Sequence, residues 1–185
     1  LAQQGDRPVT RKLRSAWLTH LAERQAWPTY LAQYREDRDT QPTLRCHWLA
    51  ARVALGQTDG LEAELTDTWG TAGSLPDACD PALAWWRARG GPGDVMVERR
   101  ARLALEAGDA GLARFLARSL PAARAAPLLQ WAALIEQPAR EISALIAQPV
   151  KDVEPQALAD GWSRYARADA EAAAAAFPEL AQTRG

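Results

Sequence analysis

The chain is poor in the residues that do chemistry. Its 185 positions hold two histidines, two cysteines and one methionine. No GxxxxGK[ST] phosphate loop, nucleophile elbow or spaced set of metal ligands occurs in it. No excess of either charge sign exists: 22 basic residues face 23 acidic ones, net −1. That balance argues against a nucleic-acid partner, which calls for a basic stripe. No apolar run approaches the roughly 20 residues of a membrane-spanning helix. Strict alternation of polar and apolar residues is not sustained anywhere, and β-branched residues are scarce, so no sheet is expected. No cofactor and no metal are expected. The one methionine is Met96 and the chain starts Leu-Ala-Gln-Gln, so more protein or a processed leader is expected upstream.

What is present is helix signal, rich in alanine and leucine. Residues 8–24 read as a first helix with Leu13, Trp17, His20, Leu21 and Arg24 on one side, broken by Trp27-Pro28. A short helix over about 28–36 carries Tyr30, Leu31 and Tyr34, and the polar stretch Arg35–Gln41 reads as a loop. Pro42 opens a helix with a core stripe of Leu44, Trp48, Ala51 and Leu55, ended by Gly56. Leu61, Leu65 and Trp69 mark the next helix, and Gly70–Ala78 a corner. Asp80-Pro81 reads as a cap and first turn, with Leu83 and Trp86 as core. After Gly90–Gly93, Asp94 is expected to cap a helix reaching Ala107. Then come helices burying Leu112, Phe115, Leu116 and Leu120; Leu128, Trp131 and Ile135; and Ile142, Leu145 and Ile146. Pro149–Pro155 reads as a linker. Leu158, Trp162 and Tyr165 drive the next helix, and an alanine-rich one follows Asp169.

Turns at Ala54–Gly60, Ala104–Ala110 and Arg164–Ala170 share a small residue followed by aspartate, but their spacing of 50 and 60 residues matches no fixed repeat. The expected fold class is therefore all-α: an irregular α-superhelix, or solenoid, of about ten or eleven short antiparallel helices. Residues 1–185 read as one scaffold domain with a fraying tail at about 181–185.

Few side chains invite a functional reading. Cys46 and Cys79 close a loop beside the same corner. The pair reads as a disulfide, with two free buried thiols as the alternative; a zinc site would need ligands that His20 and His47 are not spaced to supply. His20 reads as a core or interface residue, and His47 as pointing away from the core. Arg87, Arg89, Arg99, Arg100 and Arg102 are candidates for an anion-binding rim, against a solvated face paired with Glu98 and Glu106. Of the adjacent Trp85 and Trp86, one is core; the other suits a rim contact or a sugar ring.

The residues taken together have a familiar order: Cys46, Trp48, Ala51, Gly56-Gln57, Trp69, Gly73-Ser74, Pro76, Cys79-Asp80, Trp86-Arg87-Ala88, Gly90, Glu98-Arg99, Arg102-Leu103-Ala104, Ala107-Gly108, Gly111-Leu112 and Leu120-Pro121. This resembles the α-superhelical, U-shaped domain of the periplasmic soluble lytic murein transglycosylases of the seventy-kilodalton type. The likeness covers about residues 10–125. It implies a parent enzyme that cleaves the β-1,4 bond between N-acetylmuramic acid and N-acetylglucosamine, leaving a 1,6-anhydro sugar. One glutamate of a lysozyme-like domain in the same polypeptide does that work. The Glu-Ser, Gly-Leu-Met-Gln and Ala-Tyr-Asn-Ala-Gly motifs of that domain do not occur here, so no catalytic residue is carried over. The expectation is a non-catalytic scaffold portion, located in the periplasm. The alternative is a free-standing helical-repeat module that binds a protein partner.

Overall fold

A computed structural model describes residues 8–147 and 153–184. Among them lie eleven α-helices, one 3₁₀ turn and no strand, so the fold is all-α as expected. The expected linker at Pro149–Pro155 lies mostly outside the described residues. The chain divides into two compact units, Leu1–Trp69 with Leu75–Pro92, and Gly70–Ser74 with Gly93–Gly185.

The first unit holds α1 (Pro8–Glu23), α2 (Trp27–Gln33), α3 (Pro42–Ala54), α4 (Leu61–Trp69), a 3₁₀ turn (Asp77–Cys79) and α5 (Asp80–Arg87). Helix α3 is its hub, in contact with α1, α2, α4, α5 and the turn. That position follows from its sequence. Pro42 occupies the first helical turn, where its missing N–H costs nothing, and Leu44, Cys46, Leu49, Ala50 and Ala51 are all buried. Gly56 ends it at φ +68°, with the Gln57 N–H donating to the Arg52 carbonyl at 2.9 Å. One core cluster gathers Leu18 and Ala22 of α1, Tyr30 and Tyr34, and Leu44 and Ala51 of α3.

The second unit holds α6 (Asp94–Glu106), α7 (Ala110–Ala117), α8 (Ala122–Glu136), α9 (Pro138–Ala147), α10 (Pro155–Ala168) and α11 (Ala170–Arg184). Each helix packs on its neighbour in sequence where both are described, and α8 also meets α6 and α10. Small residues allow this. Ala101, Ala104, Ala110, Ala113 and Ala117 are buried, and a Cβ at Gly161 would sit 2.9 Å from the Leu134 side chain. The Gly108-Asp109 turn forms as expected. Gly108 takes φ +83°, and the Asp109 carboxylate accepts the Leu112 N–H at 2.9 Å. Asp169 does the same for Ala172 at 3.0 Å.

Several expectations are corrected. The buried side of α1 is Leu18 and Ala22; Leu13 and Trp17 face outward, because α2 and α3 lie against the other side. His20 is exposed, 3.7 Å from Glu23, and belongs to no core. Leu55 and Phe115 are exposed: Leu55 lies past the last turn of α3, and the side of α7 that is buried is Ala110, Ala113, Leu116 and Ala117. Asp80 and Asp94 are first helical residues rather than N-caps. They contribute charge near the positive end of the helix dipole instead of a capping hydrogen bond.

The loop 35–41 is more than polar filler. Asp39 is 4% exposed, and its carboxylate accepts from Arg14 Nε and Nη2, each at 2.7 Å, and from the Arg35 N–H at 2.7 Å. The Arg14 pKa is raised chiefly by this hydrogen bond. The fork ties α1 to the segment before α3. Removing the carboxylate strands a guanidinium that is still about three-quarters buried. Asp39→Ala is therefore expected to lower the unfolding free energy by about 2–3 kcal/mol, the buried-pair cost reduced for the exposed part of Arg14. Urea denaturation measures it.

Candidate functional site

The most elaborated region is built on α3. Cys46, one turn into the helix, and Cys79, at the end of the 3₁₀ turn, form a disulfide. Their Cα atoms are 4.4 Å apart across 33 positions of sequence, and both side chains are buried. Turn and helix meet this closely because Pro76 ends an extended stretch and the turn hands directly into α5. Behind the staple, Trp69 and Trp86 meet edge to face at 6.1 Å. Gly91 lies against the Trp86 indole so closely that a Cβ there would overlap the ring.

The next residue on α3, His47, does not point away from the core as expected. Its ring meets Tyr30 edge to face at 6.2 Å, and burial lowers its pKa, with Glu23 acting weakly the other way. Tyr30 is fully buried and donates its hydroxyl to the Leu44 carbonyl at 2.7 Å; burial raises its pKa. Trp48 is covered by two guanidinium groups, Arg45 at 4.7 Å and Arg52 at 4.8 Å, and stacks on Tyr34 at 5.8 Å. Arg45 is in turn paired with Glu36 at 2.7 Å and with Glu64.

A shallow cavity of about 280 Å³ opens beside Arg45, lined also by Tyr34, Asp39, Asp67 and Thr68. Its arginine and Asp39 are already engaged in ion pairs, so their charges are spent within the fold. A general acid at neutral pH requires a carboxyl with a raised pKa. The carboxylate that Arg114 holds, Glu136, is shifted the opposite way, downward, on an open surface. Among the described residues, no group of three or more His, Cys, Asp or Glu side chains is placed to hold a metal.

The five rim arginines do not share one setting. Arg87 lies 6.0 Å over Trp69, and Arg89 lies 4.1 Å over Trp85, donating to the Trp85 carbonyl at 3.2 Å. Trp86 is the core member of the tryptophan pair. Arg99 is exposed. Arg100 is buried and donates to the Gly73 carbonyl at 2.9 Å, which pins the Gly70–Ser74 segment to α6. Arg102 is held by Glu154 at 2.6 and 2.7 Å and by Glu98 at 3.4 Å. Its pKa is raised chiefly by the Glu154 hydrogen bond. Sequence reasoning anticipated Glu98 as a partner and missed Glu154, which is 52 residues away.

Short helices, small-residue contacts and a buried disulfide define the class of the chain as an all-α protein of packed short helices. The comparisons make that specific. The chain is homologous to the soluble lytic murein transglycosylases. It is 30% identical to those of Salmonella typhimurium and Escherichia coli K12, over 95% of its own length and 27% of theirs. The match reaches well beyond the residues 10–125 that carry the resemblance in the sequence. Among solved structures, the 70 kDa soluble lytic transglycosylase of Escherichia coli superposes with a TM-score of 0.70 at 30% identity, covering 94% of this chain and 28% of that one. A 70 kDa soluble lytic transglycosylase in complex with bulgecin A gives 0.71 at 30%, covering 96% and 28%. An inactive mutant of lytic transglycosylase Slt from Pseudomonas aeruginosa gives 0.68 at 26%, covering 100% and 30%. The chain thus spans little more than a quarter of the relatives it matches. No family model matches it.

Two outcomes test this site. The loop closed by the disulfide predicts that Cys46→Ala/Cys79→Ala loses about 3.5–4 kcal/mol of stability, read from denaturant midpoints. His47 gives a pH dependence. Its native pKa lies below the ordinary value near 6.5, so the unfolded chain takes up the proton first as pH falls. Stability is full above about pH 6.5 and declines below it. The urea midpoint should fall between pH 7.5 and 5.5, and by less in His47→Phe.

Proposed function

We propose that this chain is the non-catalytic helical scaffold of a peptidoglycan lytic transglycosylase. In this reading a lysozyme-like domain of the same polypeptide cleaves the β-1,4 bond between N-acetylmuramic acid and N-acetylglucosamine and forms the 1,6-anhydro product. The protein works in the periplasm, where an oxidising environment keeps Cys46–Cys79 closed. The observation that carries the reading is the match itself: nearly all of this chain aligns with only 27% of enzymes named as soluble lytic murein transglycosylases. A buried disulfide within an all-α fold supports it. So does the way charge is used, since Arg14, Arg45, Arg102 and Arg114 each hold helices or turns together. No described helix is long and apolar enough to cross a membrane. Of the five rim arginines, Arg87, Arg89 and Arg99 are exposed, the first two lying over tryptophan rings.

Purified protein incubated with murein sacculi is expected to release no 1,6-anhydro-muropeptides above a mock preparation, by chromatography and mass spectrometry. Reproducible release would contradict the scaffold reading.

A further inference from the structure

The two units are held by different means. The first carries both cysteines of the chain, Cys46 on α3 and Cys79 at the 3₁₀ turn; residues 70–74 and 93–185 contain none. The bonded pair is 1% and 0% exposed. Three helices of this unit are short: α2 has seven residues, α4 nine and α5 eight. Helices of that length do not persist in water without packing. Around Cys79 the turn hydrogen bonds are local. The Cys79 N–H donates to the Pro76 carbonyl at 2.9 Å, and the Gly91 N–H to the Trp86 carbonyl at 3.2 Å. The disulfide is the covalent tie from this corner to α3. The second unit has α6, α8, α10 and α11, each of thirteen to fifteen residues. Arg102 on Glu154 and Arg114 on Glu136 brace it.

We infer that Cys46–Cys79 is a redox switch confined to the first unit: with both thiols reduced, α3, the turn and α5 come apart while the second unit stays folded, and thiol–disulfide exchange closes them. The biological role rests on the periplasmic scaffold reading above. In a reducing compartment the cysteines remain thiols and the hub stays open; in an oxidising one it closes. A cross-link spanning 33 positions raises the folding constant roughly several-hundred-fold. Small domains have folding constants from about 10³ upward, so loss of that factor brings opening within ordinary fluctuation. The second unit does not contain the closed loop, and the factor does not act on it. Closure starts on the open form, because the packed sulfurs are out of reach of a second molecule. One cysteine thiolate attacks an external disulfide, forming a mixed disulfide and releasing one donor thiolate. The other cysteine thiolate attacks the protein sulfur of that mixed disulfide and expels the second donor thiolate. Two electrons thus pass to the donor, and the two cysteine protons end on its thiols. Once α5 packs on α3, the bond is enclosed and the switch is locked.

The test is hydrogen exchange read by mass spectrometry on the 185-residue chain. One sample is reduced with tris(2-carboxyethyl)phosphine in urea and returned to native buffer with the phosphine present. An oxidised sample passes through the same urea without it. Peptides from α3 and α5 are expected to exchange at least about a hundredfold faster in the reduced chain, and those from α6, α7 and α8 to stay within about threefold of the oxidised one. Replacing the phosphine by oxidised glutathione is expected to restore the slow rates and to consume both thiols. Cys46→Ala/Cys79→Ala is expected to match the reduced chain. Slow exchange of α3 and α5 in the reduced chain overturns the inference. Equal loss of protection across α6, α7 and α8 overturns it too, because the bond would then govern the whole chain. A protected double variant beside an unprotected reduced chain also overturns it, since crowded thiols rather than a missing cross-link would be the cause. Release of anhydro-muropeptides by the chain would remove the scaffold reading and leave the exchange rates as they are, so the two failures are distinguishable.

Discussion

The first unit depends on one covalent constraint applied at its hub. Helix α3 touches every other helix of that unit, and the Cys46–Cys79 bond fixes where the turn before α5 meets it. An isolated helix as short as α5, eight residues, is marginal in water and gets its stability from packing. The staple holds it where Leu83 and Trp86 bury themselves, and Trp86 in turn meets Trp69 of α4. One cross-link thus places two short helices that intrinsic propensity would leave loose.

The second unit has no such cross-link and uses close contact instead. Alanines on α6 and α7, and Gly161 of α10 against Leu134, let helix backbones approach closely. Small side chains bury little area each, so directional pairs complete the arrangement. Arg102 reaches the residue before α10, and Arg114 reaches the end of α8. Arg100 holds Gly73 from inside. In both units the arginines act mainly as positioned forks, suited to carboxylates and carbonyls by planar geometry.

Local features were legible in the sequence and remote ones were not. The helix start at Pro42, the glycine ends at Gly56 and Gly108, and the aspartates that open α7 and α11 at Asp109 and Asp169 each follow from chemistry within one turn, whereas Pro155, read as the end of a linker, is the first residue of α10. The disulfide was legible because two cysteines admit only one pairing. The Arg14–Asp39 fork was not, because partners 25 residues apart leave no local signature. The buried side of α1 was misread for a related reason. Large apolar residues, Leu13 and Trp17 on one side and Leu18 and Leu21 on the other, occur on both sides of it, and periodicity alone cannot say which stripe meets this unit's core. Phe115 misled in the same way: a large aromatic reads as core, yet the buried side of α7 is Ala113, Leu116 and Ala117. Asp80 and Asp94 look like caps in sequence and lie one residue inside the helix.

The arginine forks and the disulfide hold the described helices together, and the homology covers about a quarter of the length of the soluble lytic murein transglycosylases the chain matches. The most direct measurement of that account is the intact mass of the native protein isolated from its source cells with an antibody against this chain. The account predicts a polypeptide several times heavier than 20.2 kDa, releasing anhydro-muropeptides from sacculi. A native species of 20.2 kDa that binds a protein partner and lacks that activity would contradict it.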